Sequence, residues 1–359
     1  MASNIFGKNF RYISWGESHG SAIGVVIDGC PAGLDLKEED VNMDLRSRRP
    51  GCVERSSQRS ESDAAKILSG VFEGKTLGSP ISILIPNDDV DSSYYEDIKD
   101  VWRPGHADYT YYKRYGHYDW RGGGRASARE TAARVAAGSV AKKMLKGIEV
   151  FAYVSSIGNI ECDCLDFSDL ILLSSSRNKS SVYCPDDFAS ESMSNYLDAI
   201  IDAGDSVGGS VDLVIRGVPA GWGDPVYARL DSLLAGAMLS IPASKSFEVG
   251  SGCLASKMLG SEHNDSFTSV SGKIETQTNH CGGLLGGIST GSDIIIRVAF
   301  KPTPSISILQ NTVDKNGSRC SLSMNRKDRH DPCVAIRAVP VVEAMAVLVL
   351  ADVQCSGKV

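Results

Sequence analysis

Residues 121–134, with the sequence RGGGRASARETAAR, constrain the fold of this chain more than any other stretch. Three glycines precede Ser127, and Glu130 follows it at the spacing of a capping box, which predicts that a helix begins at Ser127. The next residues, TAARVAAGSVAKKMLK, are rich in helix formers, and Gly147 is suited to end the helix. Because its alanines and Gly138 are small, we expect this helix to pack closely against other backbone.

Positive charge gathers in the same stretch, which holds four arginines, although the whole chain has 37 basic residues against 44 acidic ones. Glycine amides at a helix N-terminus and the helix dipole favour anions, and Arg125 and Arg129 add full charges. A second arginine group, RSRRPG (46–51) with Arg55, and the segment KPTPS (301–305) indicate the same kind of site. We predict a pocket for a highly anionic small molecule; the alternative is a loop whose arginines pair with surface carboxylates.

Histidines are scarce, six in the chain, and three of them lie in turns rich in Gly or Pro. His19 lies in GESHG, His106 in WRPGHADY and His330 in RHDPC, each close to an arginine or an acidic residue. Histidine exchanges protons near neutral pH, so these histidines, together with Asp331, are candidates for proton transfer. A lone histidine is more often structural, and that alternative stays open.

The rest of the pattern predicts clustered strands and a few helices. Strands are predicted at 22–29, 65–86 (two strands around a glycine-rich turn), 148–160, 208–218 and 294–300. Further helices are predicted at 35–51, at 224–239 and from Pro340 to about Asp352. Because the helices do not alternate strictly with the strands, the pattern favours an α+β fold over a doubly wound sheet. No linker divides the chain, so we predict one domain over residues 1–359.

Two nucleotide-binding motifs lack support. In GVFEGKT (70–76) three residues separate the glycines instead of the four of a P-loop, and a predicted strand follows instead of a helix. This segment is therefore predicted to form a hairpin turn. No GxGxxG follows a strand and opens a helix, so a dinucleotide-binding fold is not supported either.

Composition narrows the class of protein further. The net charge of -7 argues against general binding to nucleic acid or to an anionic membrane. The late apolar run VVEAMAVLVLA is too short to cross a bilayer. The ten scattered cysteines do not have the spacing of a metal site, so we expect reduced thiols in the cytoplasm and no metal.

Seven segments, in order along the chain, together resemble the chorismate synthase family. They are GESHG with AIGVVIDGCPAG, RRPG, VWRPGHADYT, RGGGRASARETAARVAAG, GGLLGGISTG, KPTPS and RHDPCVAIRAVPVVEA, and the resemblance extends from about Gly7 to Asp352. It implies a β-α-β sandwich with helices between antiparallel sheets, and a homotetramer. It also implies a redox-neutral anti-1,4-elimination of phosphate from 5-enolpyruvylshikimate 3-phosphate, which gives chorismate and requires reduced FMN.

The resemblance assigns roles to individual residues. His19 is similar to the acid that protonates the departing phosphate, His106 to the residue that protonates reduced flavin near N1, and Asp331 to the carboxylate that helps the C6 proton move toward flavin N5. As acids, the histidines are expected to have pKa values near or above the ordinary value of about 6.5. FMN contacts are expected at Arg125, Ala126, Ser127, Pro242, Ala243, Gly286, Lys301, Pro302, Thr303, Pro304, Ser305 and Arg329. Substrate contacts are expected at Arg48, Arg55 and Arg129.

Three positions depart from the family pattern. Many relatives have an arginine where this chain has Glu54, so either the adjacent Arg55 replaces it or that contact is missing. Ala126 stands in place of a usual serine, and Pro242 stands in place of a common asparagine. None of these departures falls on the three predicted proton-transfer residues.

Two questions remain at the level of sequence: which protein supplies reduced FMN, and which other functions would fit the same motifs. Some fungal relatives reduce their own flavin with NADPH, but this chain has no dinucleotide fingerprint, so we expect an external flavin reductase to supply reduced FMN. One alternative is an FMN-dependent oxidoreductase, which would consume reductant stoichiometrically. Another is a nonenzymatic protein that binds a phosphometabolite or RNA, for which RNA binding would depend steeply on salt.

Overall fold

The computed structural model describes residues 3–49, 61–88, 92–162, 166–324 and 331–357. The strands are β1 (Ile5–Phe6), β2 (Arg11–Trp15), β3 (Ala22–Asp28), β4 (Lys66–Ile67), β5 (Val71–Phe72), β6 (Lys75–Thr76), β7 (Ile81–Pro86), β8 (Glu149–Ile157), β9 (Ile160–Glu161), β10 (Gly209–Arg216), β11 (Ser244–Val249), β12 (Phe267–Val270), β13 (Lys273–Thr276), β14 (Leu284–Leu285), β15 (Ile288–Ser289), β16 (Ile294–Phe300), β17 (Gln310–Val313) and β18 (Arg319–Leu322). The helices are α1 (Glu38–Arg48), α2 (Ser93–Ile98), α3 (Asp108–Tyr115), α4 (Thr131–Lys142), α5 (Leu170–Lys179), α6 (Asp187–Ala203), α7 (Leu230–Leu239), α8 (Gly260–His263) and α9 (Val334–Gln354).

Two five-stranded antiparallel sheets form the outer layers of the core. The first has the strand order β1-β2-β3-β7-β4, and the second has the order β11-β16-β10-β8-β9. Their longer strands are rich in Val and Ile, which pack well on a pleated surface, and the side chains of β7 alternate between buried and half-buried positions. The predicted strands at 22–29, 148–160, 208–218 and 294–300 are confirmed.

Two helices fill the space between the sheets. α4 packs on β3 of the first sheet, α9 packs on β8 and β10 of the second, and the two helices pack against each other. At their crossing, a Cβ atom added to Gly138 would lie only 2.8 Å from the Cβ atom of Ala344. The prediction that small residues allow close packing of this helix is therefore confirmed, and so is the α+β fold with helices between antiparallel sheets.

The apolar helix α9 begins six residues earlier than the sequence predicted. It starts at Val334 and has 21 residues, so Pro340 lies inside the helix and not at its first turn. The helix is therefore long and apolar enough to span a membrane. The prediction that its apolar run is too short to do so was wrong, because the helix extends beyond VVEAMAVLVLA at its N-terminal end. However, 83% of its most apolar window is buried inside the protein, as expected for a core helix that is hydrophobic on all sides.

Three other helix boundaries differ from the predictions, and one turn agrees. α1 is shorter than 35–51, because the chain becomes helical only at Glu38. α7 begins at Leu230, because Asp224 instead forms a β-bridge with Ala228. The helix predicted from Ser127 begins with a 3-10 turn, and α4 follows. The segment 70–76 contains β5 and β6, so the predicted hairpin is confirmed.

Candidate active site

A large open cleft of about 1690 Å³ lies beside the N-terminal end of α4. Its walls come from the loop after β2, the glycine-rich loop that precedes α4, the segment between α7 and β11, the loop after β16, and the first turns of α9. Pockets for small molecules commonly measure about 300–1,000 Å³, so this cleft has room for two ligands side by side.

Most of the residues predicted from the sequence line this cleft. Those on its wall are His19, Arg48, His106, Arg125, Ala126, Ser127, Arg129, Pro242, Ala243, Lys301, Thr303, Pro304, Ser305 and Asp331. Pro302 and Gly286 do not line it, and Gly286 lies in the turn between β14 and β15. Arg55 and Arg329 lie outside the described residues. The structure thus brings distant motifs together, while the role of each residue stays a prediction.

The wall of the cleft is basic although the protein is acidic. Among the described residues, seven Arg or Lys side chains and four Asp or Glu side chains line it, whereas acidic residues outnumber basic ones in the whole chain. Positive charge concentrated in a concave, partly water-excluded site attracts anions more strongly than the same charge on an open surface. The cleft is therefore suited to an anionic small molecule, as the sequence predicted.

The three glycines of residues 122–124 bring backbone close to both cleft histidines. All three have positive φ angles, +62° at Gly122, +112° at Gly123 and +54° at Gly124, which glycine adopts without strain. A Cβ atom on Gly122 would lie 2.3 Å from Nε2 of His19, and one on Gly123 would lie 3.2 Å from Nε2 of His106. The absence of side chains therefore allows this loop to contact the Nε2 edge of each imidazole.

His19 is buried in the loop between β2 and β3. Its ring packs edge-on against the ring of Tyr95 in α2, with 5.3 Å between the ring centroids. Asn87 holds this loop, because its side-chain amide donates hydrogen bonds to the carbonyls of Glu17 (3.0 Å) and Gly20 (2.8 Å). The position of His19 thus depends on contacts from three separate segments of the chain.

His106 is paired with a carboxylate that the sequence analysis did not single out. Nδ1 of His106 lies 2.8 Å from Oδ1 of Asp108, and Arg103 donates two hydrogen bonds to the same carboxylate. Burial opposes ionisation of Asp108, but the hydrogen bonds from His106 and Arg103 outweigh it and lower the pKa of Asp108 to about 2. The carboxylate is therefore ionised at neutral pH.

The expected direction of the His106 pKa was wrong for the protein without ligand. Burial lowers the pKa of His106 below its ordinary value, and the charge of Arg103 adds to this effect against the opposing influence of Asp108. The imidazole is therefore mainly neutral at neutral pH. An anion bound beside it would favour the protonated form, because opposite charges stabilise each other.

Two of the predicted substrate arginines are buried in an ion cluster beneath the glycine-rich loop. Arg48 donates to Thr131 Oγ1 (3.1 Å), to Asp63 Oδ2 (3.2 Å) and to the Ala128 carbonyl (2.8 Å). Arg129 also pairs with Asp63. Burial alone would raise the pKa of Asp63, but the two arginines outweigh it and lower that pKa. Both guanidinium groups therefore support the cleft wall, and direct contact with substrate stays a prediction.

We expect Arg48→Met to destabilise the protein by about 2–3 kcal/mol, since it removes a buried partner of a buried carboxylate. Urea unfolding of the purified protein measures this free energy. Arg46→Met, in the same last turn of α1, is the matched control and should change stability little. A normal free energy of unfolding for Arg48→Met, with weakened substrate binding alone, would show that Arg48 is chiefly a ligand contact.

Asp331 lies on the wall of the cleft just before α9. Its Oδ2 atom accepts a hydrogen bond from Arg337 Nη1 (2.8 Å), and its carbonyl accepts one from Thr303 Oγ1 (2.7 Å). The contact with Thr303 joins the KPTPS segment to the start of α9. Among the described residues, the cation paired with the Asp331 side chain is Arg337, six residues further along the chain.

The predicted capping box is only half formed. Ser127 accepts a hydrogen bond from the backbone N–H of Arg129, so it does cap the turn. Glu130 does not reach back to it: its carboxylate accepts from Ser14 Oγ (2.8 Å) and from Arg134 Nε (2.9 Å). A tertiary partner, Ser14, and an i,i+4 partner, Arg134, have replaced the contact with the N-cap, and the contact with Ser14 ties the start of α4 to β2.

Lys301 and Ala243 meet on the wall of the cleft. The backbone N–H of Lys301 donates to the Ala243 carbonyl (2.9 Å), and its ammonium group donates to the Gly105 carbonyl, next to His106. Ala243 has a φ of +69°, a strained value for a residue with a side chain. Burial lowers the pKa of Lys301 below its ordinary value, with the charge of Lys245 as the second cause.

Comparison with known proteins decides the family. The profile of the family described as chorismate synthase matches residues 10–355. The chain belongs to the chorismate synthase family. It is 54% identical to the chorismate synthase of Protochlamydia amoebophila, with 100% of this chain and 99% of that protein covered. It is 51% identical to that of Methanosarcina mazei, with coverages of 98% and 96%.

A solved structure agrees with the sequence comparison. A crystal structure of chorismate synthase is similar to this fold with a TM-score of 0.78 and 33% sequence identity, covering 98% of this chain and 93% of that one. The protein is therefore an enzyme with the family's carbon–oxygen lyase activity, EC 4.2.3.5. The family resemblance read from the seven sequence segments is confirmed.

Proposed function

We propose that the cleft binds 5-enolpyruvylshikimate 3-phosphate beside reduced FMN and catalyses the anti-1,4-elimination of phosphate that gives chorismate. The observation that carries this proposal is the arrangement of His19, His106 and Asp331 around one basic cleft. The substrate has two carboxylates and a phosphate, and FMN adds a further phosphate. A net positive wall with three proton-transfer groups matches that chemistry.

The donors on the wall fit reduced FMN. Arginine and lysine side chains recognise phosphate, and hydroxyl and backbone N–H groups complete such a site. We assign Arg125, Ser127, Lys301, Thr303 and Ser305 to hold the cofactor, together with Ala126, Pro242, Ala243 and Pro304 on the same wall. When bound, reduced FMN supplies an electron transiently to a substrate that must lose phosphate. The assigned contacts at Pro302, Gly286 and Arg329 depend on family resemblance alone.

The protein groups orient the ligands and handle protons. We assign His19 to give a proton from Nε2 to the departing phosphate, because that atom lies at the glycine-rich edge of the cleft. His106 is assigned to gain a proton at Nε2 when an anion binds beside it, and to hold that proton near the cofactor. Asp331, paired with Arg337, is assigned to favour removal of the C6 proton from the substrate. Arg48 and Arg129, with Arg55, are assigned to the substrate side of the cleft.

Several properties of the whole protein are proposed from family membership. We assign one chorismate synthase domain to residues 1–359, a homotetramer, and a cytoplasmic location. No partner other than the small-molecule substrate, the flavin and an external flavin reductase is needed for the reaction.

The source of reduced flavin gives a direct prediction. Purified protein with FMN and NADPH in air should form no chorismate, because the chain lacks a recognisable dinucleotide site. Addition of an independent flavin reductase should restore product formation under the same conditions. Chorismate formed in air without that reductase would show that the protein reduces its own flavin.

Counting the reductant tests the proposed reaction against the oxidoreductase alternative. In an anaerobic assay with a limiting amount of reduced FMN, the elimination forms many molecules of chorismate per flavin, because its redox balance is zero. An oxidoreductase would stop after one product per reduced flavin. Product formation that ends at this ratio would overturn the proposed function.

A further inference from the structure

We propose that Asp108, held by Arg103, is a positioning residue for His106. It holds the imidazole so that the Nδ1–H group donates to the carboxylate and the Nε2 atom lies toward the cleft. Proton exchange then takes place at Nε2. The consequence for turnover rests on the proposed function, whereas the consequence for the imidazole itself does not.

The hydrogen bond between the two residues determines the tautomer. An ionised carboxylate can only accept hydrogen bonds, so Nδ1 of His106, 2.8 Å from Oδ1 of Asp108, must carry the proton. In the neutral ring Nε2 is then the acceptor, and a proton gained by the ring is gained there. Nε2 faces Gly123, where the missing side chain leaves the edge of the ring close to backbone at the wall of the cleft.

Arg103 fixes the plane of the carboxylate. Its Nε atom lies 2.6 Å from Oδ2 of Asp108, and its Nη2 atom lies 2.8 Å from Oδ1. The two side chains are only 4% and 6% exposed, so solvent does not compete for these bonds. A bidentate arginine fork imposes a direction as well as a charge, which is what a residue that orients an imidazole requires. Asp108 is also the first residue of α3, where the helix dipole favours negative charge.

Three charged groups of the described residues act on His106, and their signs differ. Asp108 on α3 favours the protonated imidazole, whereas Arg103 in the preceding turn and Lys301 in the loop after β16 disfavour it. The glycine-rich loop at Nε2 contributes no charged side chain at residues 122–124. Removing Asp108 or Arg103 should therefore change the protonation of His106 in opposite directions.

The test uses NMR of ring nitrogens in protein labelled with ¹⁵N-histidine, without cofactor or substrate. His106→Asn identifies the signals of His106 among the six histidines. In the wild-type protein we expect the neutral ring to carry its proton on Nδ1. Asp108→Asn should mix the two tautomers and lower the pKa of His106, and Arg103→Met should raise that pKa, each by about half a pH unit or more.

Asp212→Asn is the matched control. Asp212 accepts two hydrogen bonds from Arg297, at 2.7 and 2.8 Å, in the same bidentate form as Asp108 with Arg103, but on the second sheet outside the cleft wall. This variant should lose stability without any change at His106. If Asp108→Asn gave the same result as this control, Asp108 would be structural only.

Turnover provides the second readout. We expect folded Asp108→Asn to lower kcat by about 10-fold or more, part of the 10²–10⁴-fold contributed by a positioned acid or base, with a smaller change in KM. An unchanged tautomer and pKa in Asp108→Asn would overturn the proposal. If that variant does not fold, an unchanged or lowered pKa in Arg103→Met would overturn it. The expected NMR changes in a protein that forms no chorismate would instead refute the proposed function and leave the role of Asp108 intact.

Discussion

Replacing Asp331 by Asn should lower turnover by about 10²-fold or more, in the range of a positioned acid-base group. The substitution keeps the size of the side chain and an oxygen that accepts from Arg337, but it removes the negative charge. The hydrogen bond from Thr303 to the Asp331 carbonyl does not involve the side chain and should remain. We therefore expect the free energy of unfolding to fall by only about 1 kcal/mol, with FMN affinity little changed. Anaerobic kinetics with reduced FMN, together with urea unfolding, measure both quantities.

Arg337→Gln separates a chemical role of Asp331 from a structural one. It removes the partner of the carboxylate and leaves the carboxylate in place. If Asp331 serves only to anchor Arg337, the two variants should lose turnover to the same extent. We expect Asp331→Asn to have the much larger loss in kcat. Normal turnover by Asp331→Asn, or a loss explained by unfolding or by lost FMN, would show that Asp331 is structural.

Gly122→Ala should also lower turnover by about 10²-fold or more, because it displaces His19. The added Cβ atom would lie 2.3 Å from Nε2 and 2.4 Å from Cδ2 of the imidazole, far inside van der Waals contact. His19 is buried, so its ring cannot move aside without disturbing its neighbours. A shift of about 1 Å at a reacting group can reduce the rate by about 10²-fold. Steady-state kinetics under anaerobic conditions measure the loss.

Gly147→Ala is the control for backbone strain. Gly147 has a similar φ angle, +76° against +62° at Gly122, but a Cβ atom there would lie within 4 Å of no atom of the described residues other than its own chain neighbours. Both variants should lose about 1–2 kcal/mol of stability from the left-handed backbone, and only Gly122→Ala should lose turnover. Equal kinetic effects in the two variants would mean that strain, and not the position of His19, limits the rate.

The sequence predicted most of the layers of the fold, because strands rich in Val and Ile and a core helix of small residues leave a clear record in composition. β16 coincides with the predicted strand at 294–300, and the small residues of α4 indicated its close packing. Helix ends were less predictable. Pro340 normally marks a helix start, yet α9 begins six residues earlier, at Val334. Contacts with distant parts of the chain decide where such a helix begins, and a local sequence pattern carries no information about those contacts.

The site was predictable as a set of motifs but not as a set of contacts. Glu130 stands at capping-box spacing, yet its carboxylate contacts Ser14 and Arg134. Arg48 has the charge of an anion contact, yet it is buried against Asp63. Asp108 could have been found, because it follows His106 by two residues and can reach the same ring. Arg337 lies in the segment RHDPCVAIRAVPVVEA, but only the structure shows that its side chain contacts Asp331.

The most direct test of the account is anaerobic turnover by His19→Ala and His106→Ala beside the wild-type protein, with phosphate and chorismate measured together. The wild type should release one phosphate for each chorismate. Each single variant should turn over more slowly while it keeps its fold and oligomeric state, because both imidazoles lie on the wall of the cleft to which the proposed proton exchange is assigned. Full turnover by both folded variants would contradict the assignment of this cleft's histidines to the reaction.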